Sequence, residues 1–289
     1  MHVLPRSDHA RLLTRLATIP FNTNFAEAVL RGHVTGSVLV DEPAEPRAFL
    51  VAHPCGMSLL AGEACGAGFN AALLDYLENR SGSRTRPELL QVYPDHWVTW
   101  LRSGIAVQPE SETTRGDPAG AEGPKAPASD RVIEHVRLNY RIRNDRDRAR
   151  RSRPLPEGYR IARLGAAAFE GWPGATMPPR CFWGTASDFD RHGTAWAVMH
   201  GDTIASLAFS AFVFDDRLEI GIETHAAHQG LGLATHACTA FIDDCLARGL
   251  EPVWSCRQGN LGSERTAGAV GFEETHRIPY FALAHRKIG

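Results

Sequence analysis

Between Leu218 and Ala234 the chain makes a transition that sharply narrows what it can fold into. A strand-like run, Leu218-Glu219-Ile220-Gly221-Ile222-Glu223-Thr224, passes through Gln229-Gly230-Leu231-Gly232-Leu233-Ala234 into a helical segment. A strand that delivers a glycine turn onto a helix start presents several backbone N–H groups at the positive end of the helix dipole. Such a place suits a phosphorylated ligand. Gly230 and Gly232 let the backbone approach a diphosphate without a Cβ in the way, and Gln229 through Ala234 supply the amide donors. The loop does not end in Gly-Lys-Ser/Thr and does not open as a clean Gly-x-Gly-x-x-Gly, so ATP and NAD readings are weak.

The helix that follows has a buried stripe at Leu233, Ala237, Phe241 and Cys245, and is closed by Arg248 as a last-turn cation and Gly249 as a C-cap. Pro252–Cys256 reads as the next strand, and Asn260, Ser263 and Gly271-Phe272 come after it. Together with Gln229-x-x-Gly232-x-Ala234 these resemble the GNAT superfamily of acyl-CoA-dependent N-acyltransferases. That family's pyrophosphate loop reads Arg/Gln-x-x-Gly-x-Gly/Ala, and its downstream signature is Asn-x-x-Ala/Ser followed by Gly-Phe. The resemblance implies an α/β (α+β) fold with a mixed, mostly antiparallel sheet flanked by helices. It implies acetyl-CoA as co-substrate, held by Ile222, Thr224, Gln229, Gly230, Leu231, Gly232, Leu233 and Ala234, with Asn260 and Ser263 downstream. Asn260 is expected to contact the pantetheine arm or to cap its helix. A backbone N–H near Thr224–Ala226 is implied as a donor to the thioester carbonyl.

Period-two alternation along the strand places Ile220, Ile222 and Thr224 on one face and Glu219, Gly221 and Glu223 on the other. Two carboxylates and a glycine facing one way read as a cleft. Only a neutral amine attacks a thioester, and alkyl amines keep their proton until about pH 10, so the ammonium must lose its proton; the resemblance implies that a carboxylate on this strand takes it, directly or through water. Glu223 is the first choice and Glu219 the second, against the alternative that both are solvent-facing strand glutamates. Many relatives carry a tyrosine, seven residues after the Asn, that protonates the departing thiolate; this chain has Ala267 there. A thiol of reference pKa near 8.5 leaves tolerably without an acid. Ser263, Cys256, Ser255 and Tyr280 are substitutes.

At 289 residues the chain exceeds what one such domain needs, and two are expected: an N-terminal α/β domain over 1–107, a linker or mobile loop over the proline-rich 108–130, and the GNAT-like domain over 131–289. In the first, helices are expected over Arg6–Thr18 and Asn22–Leu30, strands at Ser37–Val40 and Ala48–Ala52, and a helix over Asn70–Glu78. Leu89–Trp100 is expected to pack Trp97 and Trp100 under the sheet. The order is similar enough to the second domain that a degenerate copy of the same fold is one reading, without a residue-level repeat behind it. In the second, Val132–Ile142 alternates partly, and Thr194–Met199, Thr203–Phe214 and Leu218–Thr224 form an antiparallel meander. The arginine run Arg141–Arg153 is a solvated face or a phosphate contact. Trp172, Phe182 and Trp183 are core residues or walls of an acceptor pocket expected near Glu219 and Glu223, between the domains.

A net charge of −2 supplies no basic field, so nucleic acid is not an expected partner. The six cysteines lack the paired short spacings of a zinc site, and His225, His228 and His236 straddle different elements, so no metal is expected. Without about 18 consecutive apolar residues no membrane span is expected, and free thiols fit a cytoplasmic location. The expected function is acetyl, or short acyl, transfer from acetyl-CoA to a primary amine of a small molecule or peptide by direct attack in a ternary complex. A non-catalytic acyl-CoA-binding regulatory or scaffold module is the alternative. Oligomeric state leaves no trace in the sequence.

Overall fold

The computed structural model describes residues 1–63, 66–109, 132–143, 154–172 and 178–284. The strands are β1 (His2–Val3), β2 (Ser37–Val40), β3 (Ala48–Ala52), β4 (Met57–Gly62), β5 (Glu88–Tyr93), β6 (Val107–Pro109), β7 (Val132–Ile142), β8 (Tyr159–Leu164), β9 (Ala195–His200), β10 (Thr203–Val213), β11 (Arg217–Thr224), β12 (Glu251–Arg257) and β13 (Phe272–Leu283). Among the described residues the chain divides into two units. One takes Met1 through β6, the start of β7 as far as Arg137, and β13 from Arg277; the other runs from Leu138 to His276.

In the first unit β2, β3 and β4 are antiparallel neighbours, Val38 facing Val51 and Leu50 facing Leu60. The helix Ala67–Leu77 then crosses over, so that β5 returns parallel to β4. That parallel pair is zipped along its length, from Met57↔Leu89 to Ala61↔Tyr93. Leu50, Leu60, Leu90 and Phe281 pack against Leu73, Trp97 and Leu101 from the helices Ala67–Leu77 and His96–Gly104. The Trp97 indole N–H donates to the Gly62 carbonyl at 2.9 Å. Arg84, buried, donates to the carbonyls of Tyr76, Leu77 and Ala284, so it satisfies the end of the helix and ties down the chain terminus of the described region. Beside it the Tyr76 hydroxyl donates to Glu88 at 2.8 Å, and burial raises the Glu88 carboxyl above its usual range.

The first unit therefore has strands where the sequence reading had none. Leu89–Trp100, expected as one apolar segment under the sheet, is β5 followed by the start of a helix, and β4 was not anticipated. Both strands are buried on both faces, which erases the alternation that betrays a half-exposed strand. The first expected helix is a 3-10 turn over Arg6–Leu12 leading into one α-helical turn over Leu13–Leu16.

In the second unit β8, β9, β10 and β11 are antiparallel neighbours, and the helix Leu233–Ala247 crosses over to β12, parallel to β11. A second helix, Leu261–Ala269, precedes β13. The helices flank a mixed, mostly antiparallel sheet, the GNAT-like architecture. The expected stripe is the core: Leu233, Ala237, Phe241 and Cys245 are all buried, joined by Cys238, Ile242, Leu218, Ile220 and Trp254. Gly249 has φ 73°, the left-handed stop expected after a helix. Strand β8, unforeseen, sits beside β9 at the end of the order.

The stretch read as a single domain over 131–289 is apportioned differently: Tyr280–Leu283 pair antiparallel with Gln91–Glu88 and belong to the first unit. A long strand can change partners along its length, and this carries no periodic signature. Of the expected linker, Gln108 and Pro109 lie in β6, parallel to β7, and the remainder is outside the described residues, as is most of the arginine run.

Candidate functional site

Strands β11 and β12 start together and then part. Their parallel register runs Arg217↔Glu251, Leu218↔Pro252 and Glu219↔Val253 and stops, although β11 continues to Thr224 and β12 to Arg257. On its other edge β11 stays paired with β10 as far as Ser206↔Thr224, and the next residue, His225, donates its amide to the Ala205 carbonyl at 2.9 Å. Because successive strand amides point to opposite edges, the amides of Ile222 and Thr224 turn toward the opened side. The result is a slot with a half-unpaired strand as one wall.

At the mouth of this slot lies the glycine loop. Gly230 and Gly232 have φ of 79° and 77°, and a Cβ on either would meet nothing within 4 Å. Both therefore combine a conformation that disfavours side chains with open space above the backbone. No acceptor among the described residues takes the amide protons of Gly230, Leu231, Gly232, Leu233 or Ala234. Gln229 donates its side-chain amide to the Thr224 carbonyl at 3.3 Å, tying the loop to the end of β11. Leu231 is 47% exposed, whereas the Leu233 side chain is in the core, so only the Leu233 backbone faces the mouth. Ile222 packs partly against the core, and the Thr224 hydroxyl pairs with Ser206 at 2.8 Å. The loop thus leaves a run of backbone donors without an acceptor among the described residues, the arrangement by which helix starts bind anions elsewhere.

The two glutamates share a face, as alternation requires, and both are buried, at 7% exposure each. They are not solvent-facing. Glu223 Oε2 accepts from the Trp172 indole N–H at 2.7 Å, and Glu219 Oε1 accepts from the Ser255 hydroxyl at 3.1 Å, a bond that reaches across from β12. Between them the expected cleft is filled by a ring: Phe209, opposite Gly221 on β10, lies so close that a Cβ at 221 would sit 2.4 Å from it. Phe182 packs on Phe209 and Phe212 at centroid distances of 5.8 and 5.4 Å, and Trp183 donates to the Ser210 carbonyl. Trp172 and Phe182 are thus buried in the core. The Trp172 bond to Glu223 has no sequence signal, because 51 residues separate the partners.

Downstream, Asn260 caps the helix Leu261–Ala269, its Oδ1 accepting from the Ser263 amide at 3.2 Å. Ser263 Oγ accepts from the Trp254 indole at 3.1 Å. Ala267 is fully buried, a methyl in the core at the position where a hydroxyl was sought. Of the substitutes, Ser255 is engaged with Glu219, and Tyr280 is buried against His135 in the first unit. Cys256 donates to the Tyr140 hydroxyl at 3.9 Å; burial foremost, with the Cys256 thiol next, holds the Tyr140 phenol above the ordinary tyrosine range. Burial likewise pushes the Cys238 thiol well up and that of Cys245 up to about 12, so neither is a nucleophile at neutral pH. His228 accepts or donates at 2.8 Å with the Tyr159 hydroxyl beside His200, and burial lowers the pKa of His236. No group of three or more His, Cys, Asp or Glu residues able to hold a metal occurs among the described residues, and no described helix is long and apolar enough to cross a membrane.

A parallel strand pair that parts beside a positive-φ glycine loop is the arrangement that the GNAT resemblance implies. Residues 127–281, more than half of the chain, match the family model of the GNAT acetyltransferases, and the chain belongs to that family. It is an acyltransferase. It is similar to the uncharacterized N-acetyltransferase YdfB of Bacillus subtilis, 23% identical over 255 residues that cover 86% of each chain. Among solved structures it resembles a GCN5-related N-acetyltransferase-like protein from Streptococcus suis, with a TM-score of 0.65 and 20% identity over 96% of this chain and 99% of that one. It also resembles a tandem GNAT protein from the clavulanic acid biosynthesis pathway, with a TM-score of 0.61 and 11% identity over 100% of this chain and 99% of that one.

Proposed function

We propose that this chain transfers an acetyl, or other short acyl, group from acetyl-CoA to the primary amine of a small molecule or peptide by direct attack in a ternary complex. The observation that carries the reading is the slot between β11 and β12, opened past Glu219↔Val253 and capped by the amides of Gly230–Ala234. Those amides hold the diphosphate, and the unpaired edge of β11 at Ile222 and Thr224 offers the pantetheine amides a strand to pair with. Acetyl-CoA supplies the activated acyl group.

Glu223 takes the ammonium proton, directly or through a water, and Glu219 is the second carboxylate on the same face. The Thr224 amide, turned toward the slot, donates to the acyl carbonyl as negative charge develops there. Asn260 orders the first turn of its helix at the mouth. The thiolate leaves without a tyrosine at 267, which a leaving group of thiol acidity tolerates.

The test is free-thiol release from acetyl-CoA with a panel of primary amines. Turnover is expected, and Glu223→Gln is expected to lower kcat by about 100-fold or more, the usual worth of a general base. If Glu223→Gln together with Glu219→Gln turns over as fast as the parent, the base assignment fails. Tight acetyl-CoA binding with no turnover on any amine would instead favour a binding module.

A further inference from the structure

We infer that Trp172 positions Glu223 for its task, an inference that rests on Glu223 being the base. Trp172 is 3% exposed and Glu223 7%, and the indole Nε1–H sits 2.7 Å from Oε2. An indole N–H is a donor with no acceptor capacity, so in this bond the carboxylate can only be the acceptor. The bond fixes where Oε2 points and so orients the carboxylate toward the acceptor amine. Opposite Glu223, Leu207 on β10 supplies an apolar neighbour, and the tip of the Phe209 ring reaches the next position on that face, Gly221. A carboxylate between such walls turns about its terminal torsion unless something pins it, since that torsion is broad and nearly free. Trp172 is the pin. Glu219 has a different one, the Ser255 hydroxyl, which can accept as well as donate and so follows its partner through a protonation change. The two carboxylates thus share a strand face but differ in the chemistry that orients them. The rigid donor belongs to the one placed next to the slot's turned-out Thr224 amide.

Three measurements test this. First, in a 15N spectrum of the full chain, the indole N–H signal missing from Trp172→Phe should lie downfield, and Glu223→Gln should displace it. A signal unmoved by that change overturns the contact. Second, the isostere of tryptophan with sulfur in place of N–H, placed at 172, keeps the shape and deletes the donor. With the fastest amine of the panel, kcat should fall about tenfold while KM for acetyl-CoA and the melting temperature stay put; an unchanged kcat overturns the positioning role. Third, the same isostere in the Glu223→Gln background should cost nothing further. If Glu223→Gln itself retains full turnover, the base reading falls and this inference with it. If Glu223→Gln is inactive but the isostere is fully active, this inference alone falls.

Discussion

At the scale of single residues, the site depends on backbone and side-chain states that one atom can upset. Gly232 occupies φ 77° over open space, so Gly232→Ala keeps room for its methyl but pays a left-handed penalty of about 1–2 kcal/mol and puts a Cβ into the proposed diphosphate site. Acetyl-CoA affinity by calorimetry should weaken by about tenfold or more, the equivalent of about 1.4 kcal/mol. Gly221 fails for the opposite reason. Its Cβ would strike the Phe209 ring at 2.4 Å, so Gly221→Ala should destabilise by about 1–3 kcal/mol in urea unfolding, and Phe209→Leu in the same chain should recover part of it. In the first unit His53 is buried; burial first and the Arg86 charge second take its pKa from 6.5 to about 3. The unfolded chain binds that proton from about pH 6.5 downward and the folded chain does not, so the stability His53 contributes above pH 6.5 is lost as pH falls toward about 3. Denaturation midpoints across that window should drop with acid, and less steeply in His53→Phe.

At the scale of elements, the helix Leu261–Ala269 turns on its cap. Asn260→Ala should cost about 1 kcal/mol and lower the melting temperature, while Asn260→Asp, a comparable cap, should restore it. The pair separates the two roles open to this residue: if KM for acetyl-CoA recovers with Asp, capping accounts for the effect, and if it stays raised, the amide group also meets the coenzyme. The loop and its helix were legible from residues 229–249 because every cue there is local: glycines at the turn, an apolar repeat on one face, a cation and a glycine at the end. Strands β4 and β5 were not, since Met57–Ala61 and most of β5 are buried on both sides and alternate in nothing. The cleft between Glu219 and Glu223 was half legible. Alternation put the carboxylates together, but a ring donated by β10 filled the space over Gly221, and no pattern within β11 announces that.

At the scale of the whole molecule, the two units share an order of elements: an antiparallel series, a crossover helix, a parallel return and a second helix. They differ where it matters for a pantetheine arm. β4 and β5 pair through Ala61↔Tyr93, and Trp97 donates to the carbonyl of Gly62 at the end of β4, whereas β11 and β12 part after Glu219↔Val253. Titration calorimetry should accordingly find one acetyl-CoA bound per chain, and a second site would show that a zipped pair opens. What could be read from residue order alone was the glycine loop, its helix, the facing of the two glutamates and the family these imply, because those depend on neighbours within a few positions. What needed the folded chain was the slot, the Trp172–Glu223 and Ser255–Glu219 bonds, the ring over Gly221 and the sharing of β7 and β13 between units. Each of these joins residues far apart in the sequence, and packing in three dimensions, which periodicity does not encode, decides which distant side chain arrives.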